Sequence, residues 1–234
     1  MSQDRSDSAN CLLSALPALE YQRLEPHLHS KTYAQGEVFY EASERIKTIY
    51  FPQTALISLV STLENGATTE ISLIGGTGMV GLPAILGSGI AQHRAVVQVP
   101  NHIYHISAAI VKQEFDRGGE LQKILLAYTE NRLNEVAQLA VCNRHHVIEE
   151  RLSRWLLVVQ DLIQSPYLPL TQEFIANMLG VRRSSVTVAA GILQSAGMIR
   201  YARGKITVVD RQALEDTSCE CYQLFRQNFL RENS

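Results

Sequence analysis

The sequence has no apolar run approaching the ~18 residues that a membrane-spanning helix needs, so a transmembrane protein is excluded. The first ten residues are polar and lack the apolar core of a secretory signal. Hydrophobic residues make up 46% of the chain and charged residues 19%, close to the averages of folded domains, which excludes a disordered chain. We therefore expect a cytoplasmic globular protein that makes no contact with a membrane.

Catalytic motifs are also missing. The chain has no phosphate-binding loop, no nucleophile elbow, no paired metal motif and no pair of carboxylates at a strand end. We accordingly predict no catalytic residues and no enzyme activity.

The cysteines are few, at Cys11, Cys142, Cys219 and Cys221. They show no C-x-x-C spacing and no nearby histidines arranged as zinc ligands, so we expect reduced, partly buried thiols and no metal site. The alternative is a redox sensor that uses the closely spaced Cys219 and Cys221.

The amino-terminal part of the chain contains two kinds of sequence pattern, one typical of helices and one typical of strands. Leucines at helical spacing around Pro17 indicate short helices near the amino terminus. Between Ser30 and Ser107, short runs of β-branched and aromatic residues alternate with turn residues, and Asn65-Gly66 is a strong hairpin signal. The predicted strands are residues 38–40, 48–51, 55–60, 69–73 and 95–99. Many short strands closed by turns predict an antiparallel barrel or jelly roll.

A long helix is predicted for residues 114–143, which contain no proline and have apolar residues at helical spacing. Alternating steps of three and four residues place one stripe along it, formed by Leu126, Thr129, Leu133, Val136, Ala140 and Asn143. Such a stripe favours pairing with a second copy of the chain, chiefly through Leu126, Leu133, Val136 and Ala140. The alternative is that the stripe packs on its own barrel. A hinge at residues 144–146 precedes a second helix at 147–164, which ends before Pro166 and Pro169.

Residues 170–193 have the pattern of helix, tight turn and helix. Thr171 is a candidate helix cap, and Gly180 supplies the left-handed residue that ends the first helix. Val186, Ala190 and Leu193 are spaced to hold the second helix on the core, while its amino-terminal end carries polar residues as a DNA recognition helix does. Two strands turning at Arg203-Gly204 then predict a wing. The candidate DNA-binding residues are Thr171, Gln172, Arg182, Arg183, Ser184, Ser185, Thr187, Val188, Arg203 and Lys205.

No acidic residue lies between Glu173 and Asp210, so this segment is basic although the net charge of the whole chain is −2. The basic residues of this stretch are Arg182, Arg183, Arg200, Arg203 and Lys205. Such a patch predicts double-stranded DNA as the partner.

A barrel, a long helix and a winged helix-turn-helix in this order resemble the Crp-Fnr family of bacterial regulators. The resemblance implies an α+β protein with a sensor domain at residues 1–112, a dimerisation helix and hinge at 113–146, and a DNA-binding domain with a carboxy-terminal helix at 147–234. It implies a homodimer on a pseudo-palindromic operator, with RNA polymerase as a further partner. Gly180 matches the family's turn glycine and Arg183 its guanine-reading arginine. Ser184 and Val188 replace the usual Glu and Arg, which implies a different operator.

The resemblance also locates a candidate ligand site at Gly81, Leu82, Arg94 and Ala95. In members that bind cyclic nucleotides, a glutamate accepts a ribose hydrogen bond where this chain has Leu82, and Ala95 replaces a hydroxyl residue. Val136 and Ala137 stand where the cyclic-AMP receptor has two hydroxyl residues. Gly81 and Arg94 are retained, so an anion could still be paired. The sequence thus argues against cAMP as the effector and leaves the signal unnamed.

Other cofactors are weighed from the cysteines and histidines. A single amino-terminal cysteine argues against an iron-sulfur cluster. Haem stays an open alternative, with candidate axial ligands at His93, His102, His105, His145 and His146. A rival function is that of a sensor or adaptor that binds a small ligand in a Crp-like barrel and acts through a partner protein rather than DNA.

Overall fold

The computed structural model describes the backbone of residues 10–202 and 204–232, with side chains through residue 227. The chain forms two compact units. The first holds residues 10–61 and 71–132, and the second holds 62–70 and 133–231. The boundary therefore lies inside a continuous helix.

The first unit is built from short strands between short helices. Its elements in chain order are α1 (Cys11–Ser14), α2 (Ala18–Leu24), a 3-10 turn (Glu25–His27), β1 (His29–Thr32), β2 (Val38–Tyr40), β3 (Thr48–Pro52), β4 (Leu56–Thr62), β5 (Thr68–Ile74), α3 (Pro83–Leu86), β6 (Arg94–Val99), β7 (His102–Ser107) and α4 (Ala108–Phe115). The strands form two sheets, of order β1-β7-β3 and β2-β6-β4-β5. β7 pairs antiparallel with β1 and β3, and β6 pairs antiparallel with β2 and β4.

Buried apolar side chains that alternate with less buried ones along the strands form the core of this unit. In β3, Ile49 and Phe51 are fully buried and Tyr50 between them is half-buried; in β7, the fully buried Ile103 lies between the exposed His102 and the half-buried Tyr104. Ile57 of β4 and Val97 of β6 complete this buried layer. The structure confirms the predicted antiparallel sensor domain and adds β1, β7 and α3, which the sequence reasoning did not identify.

The β4–β5 turn is the predicted hairpin. Gly66 has a φ of +83°, and the Asn65 side-chain oxygen accepts a hydrogen bond from the backbone N–H of Ala67 at 3.0 Å. Both features belong to tight turns in which Asn and Gly are favoured.

The long helix begins later than predicted. The proposed helix from Glu114 is two helices, α4 and then α5 (Glu120–His145), separated at Gly118, whose φ is +76°. The start of α5 is held by the Glu20 carboxylate, which accepts hydrogen bonds from the backbone N–H groups of Glu120 and Leu121 at 2.9 and 2.8 Å. A carboxylate at this end of a helix satisfies free N–H groups and complements the helix dipole.

One face of α5 is buried and the opposite face is exposed. Leu121, Leu125 and Tyr128 pack into the core of the first unit. The predicted stripe is on the other side: Leu126 is 50% exposed, Leu133 67% and Val136 41%. These three side chains are exposed among the described residues, as pairing with a second copy of the chain requires.

The second unit contains the remaining elements. They are α6 (Ile148–Ile163), β8 (Tyr167–Leu168), α7 (Gln172–Leu179), α8 (Arg183–Ser195), β9 (Ile199–Ala202), β10 (Lys205–Val208), α9 (Arg211–Thr217) and α10 (Cys221–Glu232). A three-stranded sheet of order β8-β10-β9 lies beside the helices. Leu156, Ile175, Val186, Leu193 and Ile206 are completely buried and form its centre. Within the described ranges, no helix is both long and apolar enough to cross a membrane.

Candidate nucleic-acid interface

The first helix of the predicted motif, α7, begins and ends as its sequence requires. The Thr171 hydroxyl oxygen accepts a hydrogen bond from the backbone N–H of Phe174 at 3.2 Å and caps the helix. Gly180 ends it in the left-handed conformation, with a φ of +64°. The chain then enters α8 after two residues, so α7 and α8 form a helix-turn-helix.

The second helix, α8, has two distinct faces. Val186, Ala189 and Leu193 are fully buried and anchor it on the core. The outward residues at its amino-terminal end are Arg182, Arg183, Ser184, Thr187 and Val188, all exposed, whereas Ser185 is only half-exposed. The sequence-predicted recognition residues, Ser185 in part, thus share one exposed end of α8.

A hydrogen bond joins the exposed sides of the two helices. The single hydroxyl proton of Thr187 is shared between the Gln172 side-chain oxygen, 2.8 Å from the hydroxyl oxygen, and the backbone carbonyl of Arg183, at 3.1 Å. Because the amide oxygen of Gln172 is occupied, the polarity of its side chain is fixed and its amide N–H groups are the donors available to an outside acceptor. An ordered donor at the start of α7 is suited to a phosphate oxygen.

The wing is a hairpin of β9 and β10, with Lys205 paired to Ala202 and Gly204 at a φ of +76°. Arg200 and Lys205 are exposed. Arg203, also predicted to bind DNA, lies outside the described residues. β10 pairs on its other side with β8, a two-residue strand that the sequence reasoning did not find.

The four candidate ligand residues of the first unit lie in different local environments. Gly81 has a φ of +111°, and a Cβ there would meet the Ile49 side chain at 2.7 Å, so close packing requires the glycine. Ala95 is fully buried in β6, and Leu82 is half-buried before α3. The Arg94 guanidinium is paired with the Glu41 carboxylate, with Nε and Oε1 3.3 Å apart.

A cleft of about 390 Å³ opens on this unit; none of those four residues is among its lining residues, although Ile46 and Thr48 of the lining lie beside Gly81. Its lining includes Phe39, Tyr40, Arg45, Lys47 and Tyr50, and the Phe39 and Tyr50 rings stack with centroids 3.8 Å apart. Burial raises the pKa of both tyrosines, so their phenols stay protonated at neutral pH. The cleft combines aromatic faces with cationic side chains.

The histidines considered as haem ligands are dispersed. The Nδ1 atoms of His93 and His105 are buried and have no hydrogen-bond partner among the described residues, and burial lowers the pKa of both imidazoles. His102 contacts Thr32, with ring Nδ1 and hydroxyl 3.3 Å apart, and His145 is exposed. His146 lies in a different environment, beside cysteines.

The sequence predicts that no histidine is arranged with the cysteines as a metal ligand, and this prediction is wrong: the fold places a histidine beside three cysteines. Cys142, His146, Cys219 and Cys221 lie together in the second unit, with ligand atoms all within 4.8 Å of one another. The sequence reasoning missed this cluster because Cys142 and Cys219 are 77 positions apart.

Comparison with known proteins agrees with this geometry. The cyclic nucleotide-binding domain family matches residues 30–117, and the Crp-like helix-turn-helix domain family matches residues 150–217. None of the curated proteins compared with the chain matches it.

Solved structures show the same fold at low sequence identity. A CRP-family transcriptional regulator from Thermus thermophilus has a TM-score of 0.68 and 20% identity over 80% of this chain and 96% of its own. FixK2 from Bradyrhizobium japonicum has a TM-score of 0.68 and 17% identity, covering 82% and 98%. The c-di-GMP-responsive global regulator CLP from Xanthomonas campestris has a TM-score of 0.68 and 14% identity, covering 82% and 99%.

A cyclic nucleotide-binding-like domain of antiparallel strands, a long helix and a winged helix-turn-helix together define a Crp-type transcription regulator. Two domain families in this order show that the chain belongs to the Crp-Fnr family of transcription regulators.

Proposed function

We propose that the protein acts as a homodimer that binds a pseudo-palindromic DNA site, with α8 of each subunit in the major groove. The observation that carries this proposal is the exposed amino-terminal end of α8, where Arg182 and Arg183 stand beside Ser184, Thr187 and Val188. The sequence from Phe174 to Val209 holds five basic residues and no acidic one, which suits a polyanionic partner. Half-sites would be about 34 Å apart, one turn of B-DNA.

Each exposed residue has a role that its chemistry suits. The planar guanidinium of Arg183 can donate two hydrogen bonds to O6 and N7 of guanine, and the Val188 side chain can touch a thymine methyl group. Gln172, held by Thr187, and Lys205 of the wing are placed to contact phosphates, which position the protein without reading sequence. Base reading is thus assigned to α8 and positioning to α7 and the wing.

The proposed dimer contact is the stripe on α5. Leu126, Leu133 and Val136 expose large apolar surfaces in a line, with Ala140 following on the same side. Apolar side chains at coiled-coil spacing on a helix are stabilised by packing against an equivalent helix. Pairing of the two α5 helices would bring two recognition helices to one DNA site.

For the sensor domain we propose a signal other than cAMP bound in the usual family manner. Leu82 offers no acceptor for a ribose hydroxyl, and Ala95 is buried without a hydroxyl group. Arg94, the retained candidate for pairing an anion, is already in contact with Glu41. CLP responds to c-di-GMP, which shows that proteins of this fold are not restricted to cAMP.

A mobility-shift assay at two salt concentrations tests the DNA-binding proposal. If Arg182, Arg200, Arg203 and Lys205 of both subunits contact phosphates, affinity falls about 10³- to 10⁵-fold between about 50 and 200 mM salt. Weak binding that does not change with salt would instead support a sensor that acts through a partner protein. In vitro transcription from a bound promoter then tests RNA polymerase as the proposed further partner.

A further inference from the structure

The second unit contains a compact group of thiol and imidazole side chains that DNA binding does not use. Cys142 lies on α5, and His146 follows the end of that helix, its backbone N–H bonded to the Cys142 carbonyl at 3.1 Å. Cys221 is the first residue of α10, and Cys219 lies two positions before it. The three thiols are buried and none forms a disulfide, and the His146 side chain is only 15% exposed. We call these four residues the Cys3His cluster.

Two distances within the Cys3His cluster match those between the ligands of one tetrahedral metal ion, and the others do not exceed 4.8 Å. The Sγ atoms of Cys142 and Cys219 are 3.6 Å apart, as are Cys221 Sγ and His146 Nδ1. With Zn–S and Zn–N bonds of about 2.3 and 2.0 Å, tetrahedral geometry puts neighbouring ligand atoms about 3.5 to 3.8 Å apart. A central ion would therefore need only small movements of these side chains.

The surroundings orient the ligands. His146 Nε2 lies 3.1 Å from the Glu220 carboxylate, which fixes the imidazole so that Nδ1 faces Cys221. A carboxylate behind the second ring nitrogen is the usual support of a metal-binding histidine. The Gln138 amide donates a hydrogen bond to Cys221 Sγ at 3.0 Å, which holds the position of that sulfur atom.

A buried positive charge lies next to the Cys3His cluster. Arg154 is only 3% exposed, and within the described part of the chain no carboxylate forms an ion pair with it. A buried guanidinium without a counter-charge is costly. An anionic group at the Cys3His cluster would supply that counter-charge.

We propose that Cys142, His146, Cys219 and Cys221 form a closed, four-coordinate site for a thiophilic divalent metal ion, with Zn²⁺ as the natural occupant. Binding would release the three thiol protons to solvent and leave one net negative charge on the complex, which Arg154 offsets. Three sulfur ligands and one nitrogen ligand favour zinc over the oxygen-seeking Mg²⁺ and Ca²⁺. The ion would fasten the start of α10 to the end of α5.

The test uses the full-length protein, reduced and freed of metal, titrated with Co²⁺ as a spectroscopic probe for zinc. We expect one equivalent per chain, with the intense d–d bands of tetrahedral cobalt and thiolate-to-cobalt charge transfer, and full displacement by Zn²⁺. Protein purified without chelator should carry one zinc per chain by elemental mass spectrometry. Cys142→Ser and Cys221→Ser should abolish the cobalt signal, and Cys11→Ser is the matched control that should retain it.

Because buried cysteines affect folding, Glu220→Gln is the second variant. Its side chain is 81% exposed, so the fold should be unaffected, while loss of its carboxylate should weaken cobalt binding about 10- to 100-fold. Wild-type affinity in Glu220→Gln, octahedral cobalt spectra, equal loss in Cys11→Ser, or no stoichiometric metal would each overturn the proposal. A Cys142–Cys219 disulfide in metal-free protein that binds no cobalt after reduction would assign the Cys3His cluster to redox chemistry instead.

Discussion

Replacing Arg183 with alanine separates base reading from simple charge attraction. Arg183 is the first residue of α8 and is exposed, and among the described residues no hydrogen bond or ion pair holds its guanidinium. Alanine is also the most favourable helix residue, so Arg183→Ala should leave the fold and its stability unchanged. Any effect on DNA binding can then be attributed to the lost contact.

The expected loss of DNA affinity in Arg183→Ala follows from the loss of one bidentate contact in each half-site. Loss of such a contact with guanine costs about 1 to 3 kcal/mol, and a dimer loses it twice, so the total is about 2 to 6 kcal/mol. At 1.4 kcal/mol for each factor of ten, the preferred site should lose about 30-fold to 20,000-fold in affinity. The variant should lose much less affinity for DNA sites that already lack that guanine.

The assay is selection from randomised duplexes, followed by fluorescence anisotropy on the preferred site and on a site with that guanine replaced. The control is Lys205→Ala, which removes an exposed cation of the wing. This change should weaken binding to all DNA sequences equally and should reduce the slope of log affinity against log salt concentration by about 1 per subunit. If Arg183→Ala behaves like Lys205→Ala, with unchanged base preference, then Arg183 contacts phosphate and the assignment of base reading is refuted.

Three further predictions concern other parts of the molecule. Leu133→Glu should give monomers by light scattering, because two like charges would face each other in the α5 contact; an unchanged dimer would place the interface elsewhere. Calorimetric titration with cAMP should show no micromolar binding, since Leu82 replaces the expected acceptor; tight binding that also improves DNA affinity would contradict this. Gly180→Ala should lower the free energy of unfolding by about 1 to 2 kcal/mol in denaturant titrations, because an L-residue is strained at a φ of +64° and its Cβ would lie 3.1 Å from Thr69 Oγ1; unchanged stability would mean that the turn relaxes.

Local signals predicted the helix-turn-helix well. The signals that predict the two helices are local: a cap at Thr171, a turn residue at Gly180 and the apolar spacing from Val186 to Leu193. Because each signal involves residues close together in the chain, helix propensity and apolar periodicity are enough to predict this motif. The start of α5 was placed too early because the periodicity continues through Gly118 and Gly119. Those two glycines were the available signal, but the contact that fixes the helix start comes from Glu20, about a hundred positions away.

The Cys3His cluster shows what a search for familiar spacings overlooks. Cys142 and His146 are four positions apart at the end of α5, and Cys219 and Cys221 are separated by one residue. Neither pair matches a familiar zinc motif. Only the packing of α10 against the end of α5 joins them, and that packing is a tertiary property that local pattern does not encode.

The two faces of α8 have a consequence for evolution. The residues that hold the helix in place, Val186, Ala189 and Leu193, are buried, whereas Ser184 and Val188 are exposed and contribute little to packing. Surface substitutions of this kind usually change stability by less than about 0.5 kcal/mol. Descendants of this gene could therefore acquire new operators through one or two codon changes in the outward face, without compensating changes in the core.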